Sequence, residues 1–126
     1  SAISLSIVAK PDLIVINPNA PSSANRGATI TVSCTVKNSG NAYAVASMLK
    51  YYLSTNNSYS SNDIYMDSDP VSGLSQGSTS AESESFAIPY NLPTGTWYII
   101  LRADSDGQVD EANEANNVSY KQIQIN

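Results

Sequence analysis

Residues 28–38 read ATITVSCTVKN, and this stretch decides the fold. Its apolar side chains, Ile30, Val32, Cys34 and Val36, alternate with hydroxyl-bearing and basic ones. A period of two residues, with one apolar and one hydrophilic face, is typical of an antiparallel strand that a core covers on one side only. The string NSGN at 38–41 is a turn signal. We therefore predict a half-solvated β-strand that ends in a turn.

Short segments of the same kind precede and follow this strand, and turns rich in Gly, Pro and Asn separate them. None places apolar side chains at 3.6-residue spacing over the length of a helix. About seven or eight short strands, spaced about 10–15 residues apart, are typical of an antiparallel β-sandwich. We therefore predict an all-β sandwich. The other predicted strand segments are residues 12–17, 48–55, 64–66, 83–89, 96–103 and 118–125.

Side-chain parity predicts which faces of these strands meet the core. In 48–55, Leu49, Tyr51 and Leu53 should face inward, since Lys50 falls on the opposite side. Residues 96–103 are apolar on both parities, which predicts the most buried strand. In 118–125 the apolar residues change parity midway, and we expect a β-bulge to reconcile the two halves.

Length and composition limit the class of protein. A chain of 126 residues fits one domain with a single core. The net charge is −5 with only six basic residues, which disfavours partners that need a cationic face, such as nucleic acids or anionic membranes. No apolar run approaches the roughly 20 residues of a membrane helix. Histidine is absent, which removes Ser-His, Cys-His and His-metal sites, and a single cysteine forms no internal disulfide.

The acidic segment 104–117, DSDGQVDEANEANN, is the strongest candidate for a site. It holds five of the eleven acidic residues and no base, between the last two predicted strands. Calcium binds 6–8 oxygen ligands from carboxylates, amides and carbonyls, so an ion there would offset the charge. The spacing does not fit an EF-hand. The candidate calcium ligands are Asp104, Asp106, Asp110, Glu111 and Glu114.

A structural role explains the same segment equally simply. Asp and Asn side chains accept backbone N–H bonds in turns. Glu111 and Glu114, three residues apart, would be stabilised near the start of a helical turn. The sequence leaves self-capping and calcium binding open.

Three further candidates carry less weight. Cys34 lies on the apolar face of its strand, which favours a buried and inert thiol over a reactive one. Paired acids could serve a glycosidase, but these acids sit in one local segment without a second wall for a cleft. Eight tyrosines and Trp97 could stack on sugars, although aromatic residues on strands more often pack in the core or across strands.

A set of short motifs occurs in a fixed order along the chain: residues 11–13 (PDL), 27–32 (GATITV), 36–42 (VKNSGNA), 51–54 (YYLS), 95–98 (GTWY), 103–104 (AD) and 109–117 (VDEANEANN). Together these motifs resemble those of the CARDB family, the cell adhesion related domain found in bacteria. The similarity covers residues 10–125, and one departure falls at 63–67, DIYMD, where the family pattern has Leu-Gly after the mid-chain acidic loop.

This resemblance implies an immunoglobulin-like antiparallel sandwich of about seven to eight strands. It also implies a module of a larger extracellular or cell-surface protein of a bacterium or archaeon. We expect residues 10–126 to form this domain and residues 1–9 to be a linker or the edge of a preceding domain. The expected function is a structural or adhesion module without catalysis, and the alternative is a calcium-dependent carbohydrate-binding module. The expected partners are neighbouring domains of the same polypeptide, or a surface protein or polysaccharide, with no nucleic acid and no membrane insertion.

Overall fold

The computed structural model describes residues 10–60, 62–103 and 118–126, and eight strands lie within them. The described part of the chain contains no helix long and apolar enough to cross a membrane. The strands are β1 (Leu13–Asn19), β2 (Ser23–Ala24), β3 (Thr29–Asn38), β4 (Ser47–Ser54), β5 (Ile64–Val71), β6 (Thr79–Ala87), β7 (Gly95–Arg102) and β8 (Val118–Ile125).

The strands form two sheets that pack face to face. One sheet has three strands in the order β1-β3-β6, and the other has five in the order β2-β8-β7-β4-β5. Every strand pair is antiparallel except the short β2, which runs parallel to β8. The predicted all-β, immunoglobulin-like sandwich is confirmed.

The central strands follow the predicted parities. On β3, Val32 and Val36 are completely buried while the alternate side chains face outward. On β4, Leu49, Tyr51 and Leu53 face the core, as predicted. Strand β7 lies between β4 and β8, and its apolar run at residues 99–101 has no exposed surface on either face. Burial on both faces explains why this strand is apolar at successive positions.

A single apolar core fills the space between the sheets. Strands β1 and β8 contact each other on one side of it, and their residues Leu13 and Ile123 belong to the core. Trp97 also belongs to the core, and its indole Nε1 donates a 2.8 Å hydrogen bond to the carbonyl of Pro93. A buried indole needs such a partner, so this bond fixes the turn that leads into β7.

The bulge predicted within β8 was wrong. The strand pairs with β7 without interruption from Val118 opposite Arg102 to Ile125 opposite Gly95. The two apolar parities serve two faces of the sheet instead: Ile123 and Ile125 enter the core, whereas Tyr120 lies on the outer face.

Three strands extend two or more residues beyond their predicted limits. Strand β6 begins at Thr79 and β5 continues to Val71, because their inward positions carry acids in place of the apolar residues that mark a strand. Strand β1 continues to Asn19 after a shift in its register with β3. At that shift Asn17 has a φ of 54°, a left-handed conformation that asparagine tolerates better than most residues.

Candidate functional site

The acidic segment 104–117 lies outside the described residues, and with it all five candidate calcium ligands. The structure does fix where this segment leaves and rejoins the sandwich. It follows the end of β7 and precedes β8, and Arg102 and Val118 at these ends are paired neighbours. Calcium binding at Asp104, Asp106, Asp110, Glu111 and Glu114 stays a prediction.

Five tyrosines gather on the outer face of the five-stranded sheet, and we call this group the tyrosine surface. The rings of Tyr52 and Tyr59 meet edge to face with centroids 5.0 Å apart, and Tyr52 contacts Tyr65 at 5.9 Å. Tyr98 and Tyr120 form a second edge-to-face pair at 5.8 Å. Tyr65 and Tyr120 keep 53% and 46% of their surface exposed. The surface therefore presents aromatic rings to solvent.

Two cations border the tyrosine surface. The Arg102 guanidinium lies 4.3 Å from the ring centroid of Tyr59, and Lys50 Nζ lies 5.9 Å from that of Tyr65. Burial raises the pKa of Tyr52, its interaction with Tyr59 adds to this, and a hydrogen bond with Arg102 opposes it. Stacked cations hold the rings in place and leave a surface of aromatic faces, hydroxyls and positive charge.

Only part of the tyrosine surface could be predicted from the sequence. It singled out the tyrosines and Trp97 as a group, but Trp97 and Tyr51 are buried in the core. The signal that could have separated them is parity, because Tyr98 and Tyr120 alternate with the core residues of their own strands.

Four acids, which we call the edge carboxylates, line the side of the sandwich where β5 and β6 contact each other; they are Asp67, Asp69, Glu82 and Glu84. Register places all four on the inward faces of their strands. Asp67 and Asp69 stand opposite the core residues Tyr51 and Leu49, and Glu82 and Glu84 stand opposite Cys34 and Val32. The sequence did not single them out, because it shows only which residues alternate along a strand and not which strands form edges.

Each glutamate of the edge carboxylates interacts with aspartates across the gap between the sheets: Glu82 with Asp69, and Glu84 with Asp67 and Asp69. The pKa of Glu82 is raised by burial and by a hydrogen-bonding contact with Asp69, while a hydrogen bond from the Ser80 hydroxyl partly offsets the rise. The pKa of Glu84 is raised by burial and by a similar contact with Asp67. Among the described residues, no three acidic or cysteine side chains are arranged to hold a metal ion.

Cys34 lies behind these pairs and is inert. Only 5% of its surface is exposed, and burial, followed by the charges of Glu82 and Asp69, raises the pKa of its thiol to about 12. A thiol with this pKa holds its proton at neutral pH, and the thiolate is the reactive species. The predicted burial of Cys34 is confirmed. The nearby Tyr51 hydroxyl is also buried, and it has no hydrogen-bond partner in the described structure.

A shallow depression of about 320 Å³ lies on the three-stranded sheet, and mostly small residues line it, namely Asn17, Ser33, Cys34, Thr35, Ala81, Glu82 and Ser83.

Comparison with solved structures places the fold among known domains. A CARDB domain from Pyrococcus furiosus, crystallised in complex with di-metal ions, is 20% identical with a TM-score of 0.71, and the match covers 93% of this chain and 94% of that one. A domain assigned to a cell surface protein of Methanosarcina acetivorans is 18% identical with a TM-score of 0.63, covering 93% of both chains. A β-glucosidase from Erythrobacter marinus matches over only 16% of its own length, with 16% identity and a TM-score of 0.62. At these identities the likeness shows the fold alone.

The two sheets and their common core define an immunoglobulin-like β-sandwich module. The CARDB family model matches residues 10–121, and the chain belongs to the CARDB family. The comparison with curated proteins gave no match.

Proposed function

We propose that this domain is a non-catalytic structural or adhesion module, at the cell surface or outside the cell, in a larger prokaryotic protein. Membership of the CARDB family supports this, and so does the likeness to a domain of a cell surface protein. Its partners are neighbouring domains of the same polypeptide, or a surface protein or polysaccharide that the module meets.

The observation that carries this proposal is the placement of the two ends of the domain. Near residue 10, the N–H of Asp12 donates to the side chain of Asn38, at the last residue of β3. At the other end, the N–H of Arg26 donates to the carbonyl of Asn126, close to where β3 begins. Ten residues of strand span about 33 Å at about 3.3 Å each. Domains attached at the two ends would therefore stand in series, as a spacer requires.

We also propose that residues 1–9 form a linker or the edge of a preceding domain and that residues 10–126 form the module. The hydrogen bonds from the backbone of Lys10 and Asp12 to the side chains of Asn41 and Asn38 support this division.

A calcium-dependent carbohydrate-binding module is the second candidate, and the position of the tyrosine surface favours it. The acidic segment joins β7 and β8, the two strands that carry Tyr98 and Tyr120. A calcium ion held by that segment would lie at the end of the same two strands. Exposed aromatic faces with hydroxyls at their edges suit a sugar ring, which offers apolar C–H groups and polar substituents together.

One set of assays separates the two candidates. As a structural module, the purified domain should leave a glycan array blank with and without calcium, and should hydrolyse no chromogenic glycoside. The second candidate instead predicts a melting temperature several degrees higher in calcium than in EDTA, because a ligand at a hundredfold excess over Kd stabilises by about 2.7 kcal/mol. It also predicts glycan binding that calcium supports.

Two variants serve as controls in these assays. Replacing Glu111→Gln together with Glu114→Gln should abolish any response to calcium, and Tyr120→Ala should abolish glycan binding without changing that response. Glycoside hydrolysis would contradict both candidates if the activity remained with the domain after a second purification.

A further inference from the structure

The two open sides of the sandwich differ in chemistry. On one side β1 and β8 contact each other, and both strands contribute apolar residues to the core, among them Leu13 and Ile123. On the other side β5 and β6 contact each other, and their inward positions carry the edge carboxylates. Inward-pointing charges are a known way to keep an edge strand from pairing with another chain. Here acids of two edge strands face one another, so their repulsion must be offset.

None of the six basic residues faces the edge carboxylates. Lys37 points outward from β3, since its neighbours Val36 and Asn38 are the buried ones. Lys50 and Arg102 lie on the outer face of the five-stranded sheet beside the tyrosine surface. Lys121 is on β8, two strands from β4, and Lys10 and Arg26 lie at the two ends of the domain.

The groups that do face the edge carboxylates supply no positive charge. They are the Cys34 thiol from β3 and the Tyr51 hydroxyl from β4, together with the Ser80 hydroxyl on β6 itself. Both ionisable groups resist ionisation: burial is the main cause that raises the pKa of Cys34 to about 12 and the pKa of Tyr51 well above its usual range. A proton on Glu82 and another on Glu84 would offset the repulsion without a cation.

We propose that Asp69 with Glu82, and Asp67 with Glu84, form a proton-dependent clasp that holds β5 against β6. When Glu82 and Glu84 are protonated, each donates a hydrogen bond to the aspartate that faces it and the open side is closed. When the two glutamates are ionised, like charges face each other and the edges separate. The free energy of unfolding is then highest at mildly acidic pH and falls as the pH rises.

The direction of the effect follows from proton linkage. A carboxyl whose pKa is higher in the folded state binds more protons when folded than when unfolded. Glu82 and Glu84 are both of this kind. Their stabilisation is complete below the pKa of an unfolded glutamate, about 4.3, and it is lost as the pH rises through the folded values.

Thermal melts between pH 5 and pH 8 test the clasp. The native domain should melt at a lower temperature at pH 8 than at pH 5, because Glu82 and Glu84 hold their protons more tightly when folded than when unfolded. The melting temperature of the double variant Glu82→Gln, Glu84→Gln should fall much less between pH 5 and pH 8. At pH 8 it should be higher than that of the native protein. Asp63→Asn is the matched control, because its carboxylate accepts loop hydrogen bonds from Ser60 away from the clasp. The melting temperature of this control should fall with pH as steeply as that of the native domain. Moderate salt in all samples screens the effect of the overall net charge.

Two results would overturn the proposal. One is a melting temperature of the double variant that falls with pH as steeply as that of the native domain. The other is a calcium-induced rise at pH 8 that the double variant lacks, because a cation and not a proton would then join the pairs. If Glu82→Gln, Glu84→Gln does not fold, Asp67→Asn with Asp69→Asn removes the opposite members and should flatten the slope in the same way.

Discussion

Asn38→Ala should lower the free energy of unfolding by about 3 kcal/mol, more than its size suggests, because it removes several buried hydrogen bonds together. The side chain is completely buried. Its Nδ2 donates to the carbonyls of Ala42 at 2.7 Å and Leu74 at 3.0 Å. Its Oδ1 accepts from the N–H groups of Asp12 and Gly40, both at 3.1 Å. One amide thus ties the start of β1 and two loops to the end of β3.

Equilibrium urea unfolding measures this effect, and Asn41→Ala is its matched control. Asn41 accepts a 2.9 Å hydrogen bond from the backbone of Lys10, but at an exposed position where water can replace the partner. The control should cost well under 1 kcal/mol. Equal losses in the two variants would mean that burial at Asn38 does not decide the cost.

Ile99→Ala should cost about 3–4 kcal/mol, the second large effect that we expect. Ile99 is fully buried on β7, and register places it between Leu53 of β4 and Lys121 of β8. Removing its side chain leaves a cavity in the middle of the core, since the central strand has little room to shift.

Ile64→Ala, the same substitution on an edge strand, is the control for that variant. Ile64 keeps 39% of its surface exposed at the start of β5. Its loss should cost about 1 kcal/mol or less, because water already reaches the side chain. Both variants are measured by urea unfolding, and a cost at Ile64 equal to that at Ile99 would contradict the burial that the structure assigns.

The sequence predicts those strands whose burial produces a regular pattern. Strand β3 alternates because one face meets the core, and β7 carries the apolar run 99–101 because both faces are covered there. Strand β6 was predicted only from Ser83 onward, since Glu82 occupies an inward position where an apolar residue would mark a strand. The parity change in β8 predicted a bulge because a single sequence does not show that Tyr120 packs against Tyr98 on the outer face.

The candidate sites differ in how far the sequence could reach. The acidic segment 104–117 is conspicuous because its acids are neighbours in the chain. The edge carboxylates are not, since Asp69 and Glu82 come together only when the edges of two sheets meet. Likewise the tyrosine surface assembles residues from several strands and a loop. A site that tertiary contacts assemble can be predicted only when the strand register and the strand order are known.

Small-angle scattering of two copies of the chain joined in tandem tests the central claim, that the module spaces its neighbours in series. One domain of this length has a radius of gyration of about 14 Å. The length of β3 and the flanking loops imply that the centres of the two domains lie about 40 Å apart. The tandem pair then has a radius of gyration of about 24 Å. A value of about 24 Å or more is the predicted result. A value near 18 Å, that of a compact body twice this length, would show that the two modules fold back on each other, and would contradict a spacer in series.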